Sequence, residues 1–380
     1  MNEDINNFIG KKKEEILSLL EKIVNMDSAT DYKDGTDVLG NFLSKKFLEI
    51  GFEVEKIPQK KYGDHIICRL KGEGDNTLII GHFDTALPKG TPQKRPFKIM
   101  GNRGYGCGVA DMKAGIIVAF FGIKSILETT EIKPNITLIL NSDEEIGSIT
   151  SSKIIKVDAS KAARVFIMEP GRNNNSVVTQ RKAAGVFSFT TRGLAAHAGA
   201  EPEKGCNAIV ELGHMILDLS RLNDNERGIT VNVGVIEGGT YPYVVAEEAI
   251  AKVDCRIPTK KDGEFLKSKF NEIVNFSKIK GVERSWKGDF NRSPMEKNEK
   301  TLKLFEFVKE ISKELMMPIE EASTGGASDG NSTSSMGIST LDGMGPVGAG
   351  FHGPNEYVKI DSIFERTKLL AQTLYKIYNV

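Results

Sequence analysis

The octapeptide NSDEEIGS, residues 141–148, follows directly on the apolar run NITLIL. Asp143, Glu144 and Glu145 therefore stand together where a buried strand must end, although like charges repel and burial penalises each of them. A bound cation resolves that conflict, but it needs further ligands. Oxygen and nitrogen donors for a divalent metal lie best at strand ends or in loops, where side chains converge without interrupting the backbone ladder. Four other places meet this description. His82 closes TLIIGHFD, and Asp84, two residues on, shares its face of the strand. Asp111 sits in GYGCGVADMKAG, whose glycines let backbone pass close to a metal centre, Glu169 ends ARVFIMEP, and His352 lies in GAGFHGPNE. A lone histidine or a strand-terminal carboxylate is commonplace. Five such places, all at the ends of apolar strands or in glycine-rich loops of one sheet, are not.

The elements that must position these residues are legible from periodicity. Residues 11–25 carry Ile16, Leu19, Leu20 and Ile23 at helical spacing, and Val38, Leu39, Phe42, Leu43 and Phe47 repeat the pattern after a turn at DYKDGTD. Short strands follow at HIICRL and TLIIGHFD, then a helix from about residue 112 to 127, then strands at NITLIL and ARVFIM. Buried strands alternating with helices predict an α/β sheet covered on both faces. From residue 183 to 292 the style changes to strand, helix, two strands, helix, strand. That βαββαβ order is the ferredoxin-like unit. It reads as a domain of residues 183–292 inserted into one made of 1–182 and 293–380, whose style resumes with helices at about 299–316 and 361–378 and a strand near GISTLDG.

The totals limit the function classes. A chain of 380 residues suits two domains, and its 51 basic and 51 acidic residues leave no net charge to attract nucleic acid or a membrane surface. The N-terminus lacks the apolar core of a signal peptide, and no segment has the roughly 18 consecutive apolar residues of a membrane span. A soluble cytoplasmic protein is expected. The four cysteines, Cys68, Cys107, Cys206 and Cys255, are far apart and form no CxxC pair, so they read as reduced packing residues.

GHFDTALP, GCGVADMKAG, NSDEEIGS, MEPG, GLAAHAGAEPEKGCNAI and GGASDGN…GAGFHGPNE resemble, in order over about residues 75–360, the successive signatures of the co-catalytic di-zinc exopeptidases. That family includes bacterial glutamate carboxypeptidase, to which the likeness is greatest, acetylornithine deacetylase, succinyl-diaminopimelate desuccinylase and peptidase T. The resemblance implies a mixed central sheet in the catalytic domain and an inserted lid through which the chain forms a homodimer. It implies two Zn2+ per chain, with Co2+ or Mn2+ as possible substitutes. Asp111 would bridge them, His82 and Glu169 would complete one site, and Glu145 and His352 the other. Asp84 would orient His82, and Glu144 would be the general base of amide hydrolysis. His197 would reach the partner subunit's site, while His65 and His214 are expected to be structural.

Specificity residues follow from the same resemblance. Lys252, Asp254 and Arg256 share a face of the strand AIAKVDCRI, and Arg256 matches an arginine that clamps a substrate α-carboxylate. Gly326 belongs to the substrate-pocket loop GGASDGN. Tyr243 and Ala246 depart from the asparagine and proline usual in the family, which weakens an expectation of glutamate specificity. The leading expectation is a carboxypeptidase acting on small peptides or N-acyl amino acids. The alternatives are an N-acyl amino acid deacylase, an aminotripeptidase, and a non-catalytic binding protein on the same fold.

Overall fold

Strands that are apolar on both faces need cover on both sides. The computed structural model, which describes residues 1–172 and 174–379, shows how this chain supplies it. The chain forms two units. One comprises Met1–Thr179, Lys297–Ser323 and Ser328–Val380, and the other Gln180–Glu296 with Thr324–Ala327.

In the first unit six strands lie in the order Glu53–Ile57, His65–Leu70, Pro134–Asn141, Glu73–His82, Arg164–Ile167, Ser339–Leu341. The first two pairings are antiparallel and the remaining three parallel, so the sheet is mixed. Alternate residues enter different cores. Ile66, Cys68, Ile79, Leu138 and Leu140 pack with the almost fully buried helix Ala114–Thr129, whereas Ile67, Leu78, Ile80, Ile139, Val165 and Ile167 pack with the helix Ser152–Ala159 through Ile155 and Ala159. The parallel register pairs His82 with Asn141 and Ile80 with Ile167. Three neighbouring strands therefore release their chains at one edge of the sheet, the edge where ligands bind in open α/β sheets.

The N-terminal reading needs correction. Three helices open the chain, Glu3–Lys11, Lys13–Val24 and Lys33–Glu49. The first buries only Ile5 and Ile9, too short a stripe for periodicity to reveal, and the Asn2 side chain caps it by accepting the Asp4 and Ile5 N–H groups. The third begins inside the segment read as a turn. Asp34, Gly35 and Asp37 are poor helix formers, but Lys33 pairs with Asp37 at 2.8 Å and with Asp64 at 2.7 Å and holds the first turn. A second sheet of the first unit, Lys98–Met100, Arg103–Tyr105, Tyr357–Lys359, Gly345–Ala349 and Pro170–Gly171, has strands too short for period-two reading.

The second unit has strand order Thr230–Gly238, Glu248–Ile257, Ala183–Arg192, Glu283–Phe290, every neighbouring pair antiparallel, with helices Ala208–Ser220 and Lys260–Val274. This is the ferredoxin-like arrangement. Phe187, Phe189, Leu212, Leu266 and Phe270 lie in its core. Among the described residues no helix is long and apolar enough to cross a membrane.

Candidate metal centre

The sheet edge explains why distant residues meet. His82 is the last residue of its strand, Glu144 and Glu145 form a short 3-10 turn just after Asn141, and Glu169 follows the strand ending at Ile167. Asp111 comes from the loop before the helix Ala114–Thr129. Gly115, at the start of that helix, is required because a Cβ there would lie 2.0 Å from the Met168 carbonyl oxygen, so the helix passes directly against the chain leading to Glu169.

Asp111 lies between two imidazoles. Its Oδ1 is 3.2 Å from His82 Nε2, and its Oδ2 is 3.3 Å from His352 Nε2. His82 Nε2 also lies 3.5 Å from Glu169 Oε1, and His352 Nε2 lies 3.0 Å from Glu145 Oε2. Donor atoms of His82, Asp111 and Glu145 fall within 4.8 Å of one another, as do those of His82, Glu144 and Glu169. His352 adopts φ 59°, a left-handed conformation uncommon outside glycine, and its ring lies against the Asp111 and Glu145 carboxylates.

The charges are mutually adjusted. Burial alone would lower the pKa of the His82 imidazole, but hydrogen bonds to Asp111, Asp84 and Glu169 outweigh it and hold the value well above the ordinary one. His352, beside Asp111 and Glu145, is raised to about 10. Burial opposes ionisation of Asp111, yet His352 and His82 hold its carboxyl below the usual carboxylate range. Two imidazoles converging through Nε2 on closely spaced carboxylates form a donor set that fits a pair of divalent cations. Asp111 has one oxygen toward each side.

The supporting contacts were only partly anticipated. Asp84 is fully buried; its carbonyl oxygen is 3.1 Å and its Oδ1 3.3 Å from His82 Nδ1. The same carboxylate accepts the Thr30 hydroxyl at 2.8 Å and the backbone N–H groups of Glu144 and Glu145 at 3.3 Å each. Asp143, the third acid of the opening motif, is buried and accepts the Thr150 and Ser151 hydroxyls at 2.8 and 2.5 Å and the Thr150 N–H at 2.6 Å. His65 lies 2.8 Å from the Thr150 hydroxyl and accepts the Ser142 N–H at 3.3 Å, a structural bracket of the same loop. Asp329 accepts from the Asn141 amide at 2.6 Å. Sequence reasoning passed over Asp329, and it passed over Glu356. Lys113 is fully buried, donates to the Met26 carbonyl at 2.8 Å, and is lowered by burial to about 8.

Four other expected site residues lie in the second unit. His197 is exposed, and its Nδ1 accepts the N–H groups of Gly199 and Ala200 at 3.1 Å each. Tyr243 is exposed, stacks on Tyr241 with ring centroids 5.3 Å apart, and its carbonyl accepts the Ala198 N–H at 2.9 Å. Arg256 donates from Nε to Asp254 Oδ1 at 2.8 Å. The Gly326 carbonyl accepts from Arg181 at 3.2 Å.

The profile of peptidase family M20/M25/M40 matches residues 78–376. The chain belongs to this family. Its members are metallopeptidases and amidohydrolases that act on C–N bonds, and this M20 chain is a metal-dependent hydrolase of that class. Carboxypeptidase G2 of Pseudomonas sp. (strain RS-16) is 30% identical over 369 residues, covering 94% of this chain and 88% of the relative. The fold is similar to that of aminopeptidase PepT from Bacillus cereus ATCC 10987, with TM-score 0.82 at 21% identity, covering 96% of this chain and 98% of the other. It is also similar to Bacillus subtilis YXEP, described as a dinuclear metal binding peptidase from the M20 family, with TM-score 0.74 at 14% identity over 97% and 99% of the two chains.

Proposed function

We propose that this M20 chain is a di-zinc carboxypeptidase that removes a C-terminal residue from small peptides or N-acyl amino acids. The observation that carries the reading is the position of Asp111, with one oxygen toward His82 and the other toward His352. Asp111 is assigned to both cations, His82 and Glu169 to one, and Glu145 and His352 to the other. Two zinc ions held there supply Lewis acidity, lowering the pKa of water and polarising the scissile carbonyl. Glu144 takes the proton of the attacking water and passes it to the leaving amine nitrogen. Asp84 fixes the His82 ring through Nδ1 and holds the turn that carries Glu144.

The choice of carboxypeptidase is supported by the named relative at 30% identity. It is supported also by Arg256, whose Nε is held by Asp254 so that its Nη pair can meet a carboxylate in bidentate fashion. His197 accepts two backbone N–H groups at Nδ1, which places its remaining proton on Nε2 and makes it a donor for a developing oxyanion. We assign that donor to the partner subunit's site. A homodimer through the second unit is supported by Thr230–Gly238, an edge strand with Val235 and Ile236 exposed, and by Ile209, Val210 and Leu217, exposed on the helix Ala208–Ser220.

Protein purified without chelator should contain zinc near two per chain by elemental analysis. It should cleave substrates with a free α-carboxylate and lose most of that activity when the carboxylate is amidated. Release of a small acid from N-acyl diamino acids, with peptides untouched, would replace the carboxypeptidase reading by the deacylase. Mixed dimers of His197→Ala and Glu144→Gln chains restore one intact site in two. With random pairing they should recover about a quarter of wild-type activity, and no recovery in verified mixed dimers would remove His197 from the partner's site.

A further inference from the structure

Four residues beyond His352 stands a carboxylate for which the proposed chemistry has no use. Glu356 is 2% exposed. Its Oε2 accepts the Gly108 N–H at 3.0 Å, and its Oε1 accepts the Ala110 N–H at 2.9 Å and the Asp111 N–H at 3.1 Å. These donors come from one turn of backbone that begins at Gly108, where φ is 63°. Amide groups of such a turn point into one concavity and favour an anion. In this protein the anion is a side chain about 245 residues away in sequence.

The second sheet accounts for the meeting. Tyr357 pairs with Tyr105 in antiparallel register. The chain leaving Tyr105 toward Asp111 and the chain arriving at Tyr357 from His352 therefore run side by side, and Glu356, next to the paired Tyr357, faces the amides that follow Tyr105. A carboxylate suits this cradle because it has acceptors on both oxygens and no donor. The glutamine amide would set an N–H group against a backbone N–H and leave a buried donor unpaired.

We propose that Glu356 is a positioning residue for the metal centre, fixing the loop that carries His352 to the backbone that carries Asp111. It is not among the residues assigned to either cation. It sets the separation of two ligands that arrive on different chain segments, in the way that groups behind metal ligands tune affinity elsewhere. The inference rests on the assignment of Asp111 and His352 as ligands.

The test is zinc affinity, measured by chelator competition on wild type, Glu356→Gln and Glu356→Asp, together with the melting temperature of each protein with and without zinc. Glu356→Gln should bind the more weakly held zinc roughly 10–100-fold less tightly. The rise in melting temperature that zinc confers should shrink with it. Glu356→Asp, which keeps the charge but is one methylene short, should fall between the two. If Glu356→Gln does not fold, Glu356→Asp carries the comparison, and wild-type zinc affinity in it would overturn the proposal. Unchanged affinity in a folded Glu356→Gln, with only the zinc-free melting temperature lowered, would also overturn it, leaving a purely structural carboxylate. Fewer than two zinc ions in wild type would instead bring down the metal assignment itself, and this inference with it.

Discussion

Asp84 accepts the backbone N–H of Glu145 at 3.3 Å through the same carboxylate that lies 3.3 Å from the His82 ring. One fully buried side chain thus ties the imidazole at the end of one strand to the turn that follows its parallel neighbour. Asp84→Asn would place an amide N–H among these donors. It should weaken zinc binding by about 10–100-fold while leaving the substrate KM of the fully loaded enzyme nearly unchanged. Chelator competition alongside steady-state kinetics checks this, and wild-type affinity would show that Asp84 does not orient the ligands.

Metal uptake should release protons. In the metal-free protein the carboxylates hold the His82 and His352 pKa values above the ordinary imidazole value, His352 at about 10. Raised values of this kind favour the protonated rings, and an imidazole must lose its proton to act as a ligand. Apparent zinc affinity should rise with pH, and binding should release protons near pH 7. Calorimetry in buffers of different ionisation enthalpy measures the number, and a value near zero would contradict the ligand assignment.

The second unit contains a buried ion pair, Glu211 with Arg284, whose side chains are 0% and 1% exposed. Burial would raise the Glu211 pKa, but the Lys278 and Ile279 N–H groups, the Ser277 hydroxyl and Arg284 outweigh it and hold it below its usual value. A depressed carboxylate pKa contributes stability above the unfolded value of about 4.3, and that contribution fades as pH falls through the lower folded value. Glu211→Ala should cost about 3–5 kcal/mol at pH 7 by leaving Arg284 buried without its partner. The difference from wild type should narrow below about pH 4. Urea unfolding at the two pH values provides the comparison, and a pH-independent difference would rule out the charge as its origin.

How much of this could be read in advance depended on whether a residue's neighbours lay in its own segment. The main strands and the βαββαβ insertion were legible because alternating burial and helical spacing leave marks over five to fifteen consecutive residues. The strand-end acids and histidines stood out because charge directly after an apolar run is costly unless something compensates it. The helix Glu3–Lys11 buries just two isoleucines, and the helix beginning at Lys33 depends on Asp64, about 30 residues away, so neither has a local signature. Glu356 and Asp329 were missed for a related reason. In the sequence each is an acid in a polar loop, and only the fold reveals that backbone amides or an asparagine close around it. Asp143 was singled out with its neighbours, but the Thr150 and Ser151 groups that hold it are visible only in the fold. The second sheet brings the Glu356 loop beside the Asp111 loop through strands of two to five residues, too short to announce themselves.

The most direct measurement is the turnover of Glu144→Gln, with zinc content determined on the same sample and Glu145→Gln measured beside it. Glu144→Gln should keep two zinc ions and a near-wild-type KM while kcat falls by about 10²–10⁴, the loss typical when a general base is removed. Glu145→Gln should chiefly lose zinc. Near-normal kcat in fully loaded Glu144→Gln would contradict the central claim that this carboxylate, in a cluster with His82 and Glu169, moves the proton in amide hydrolysis.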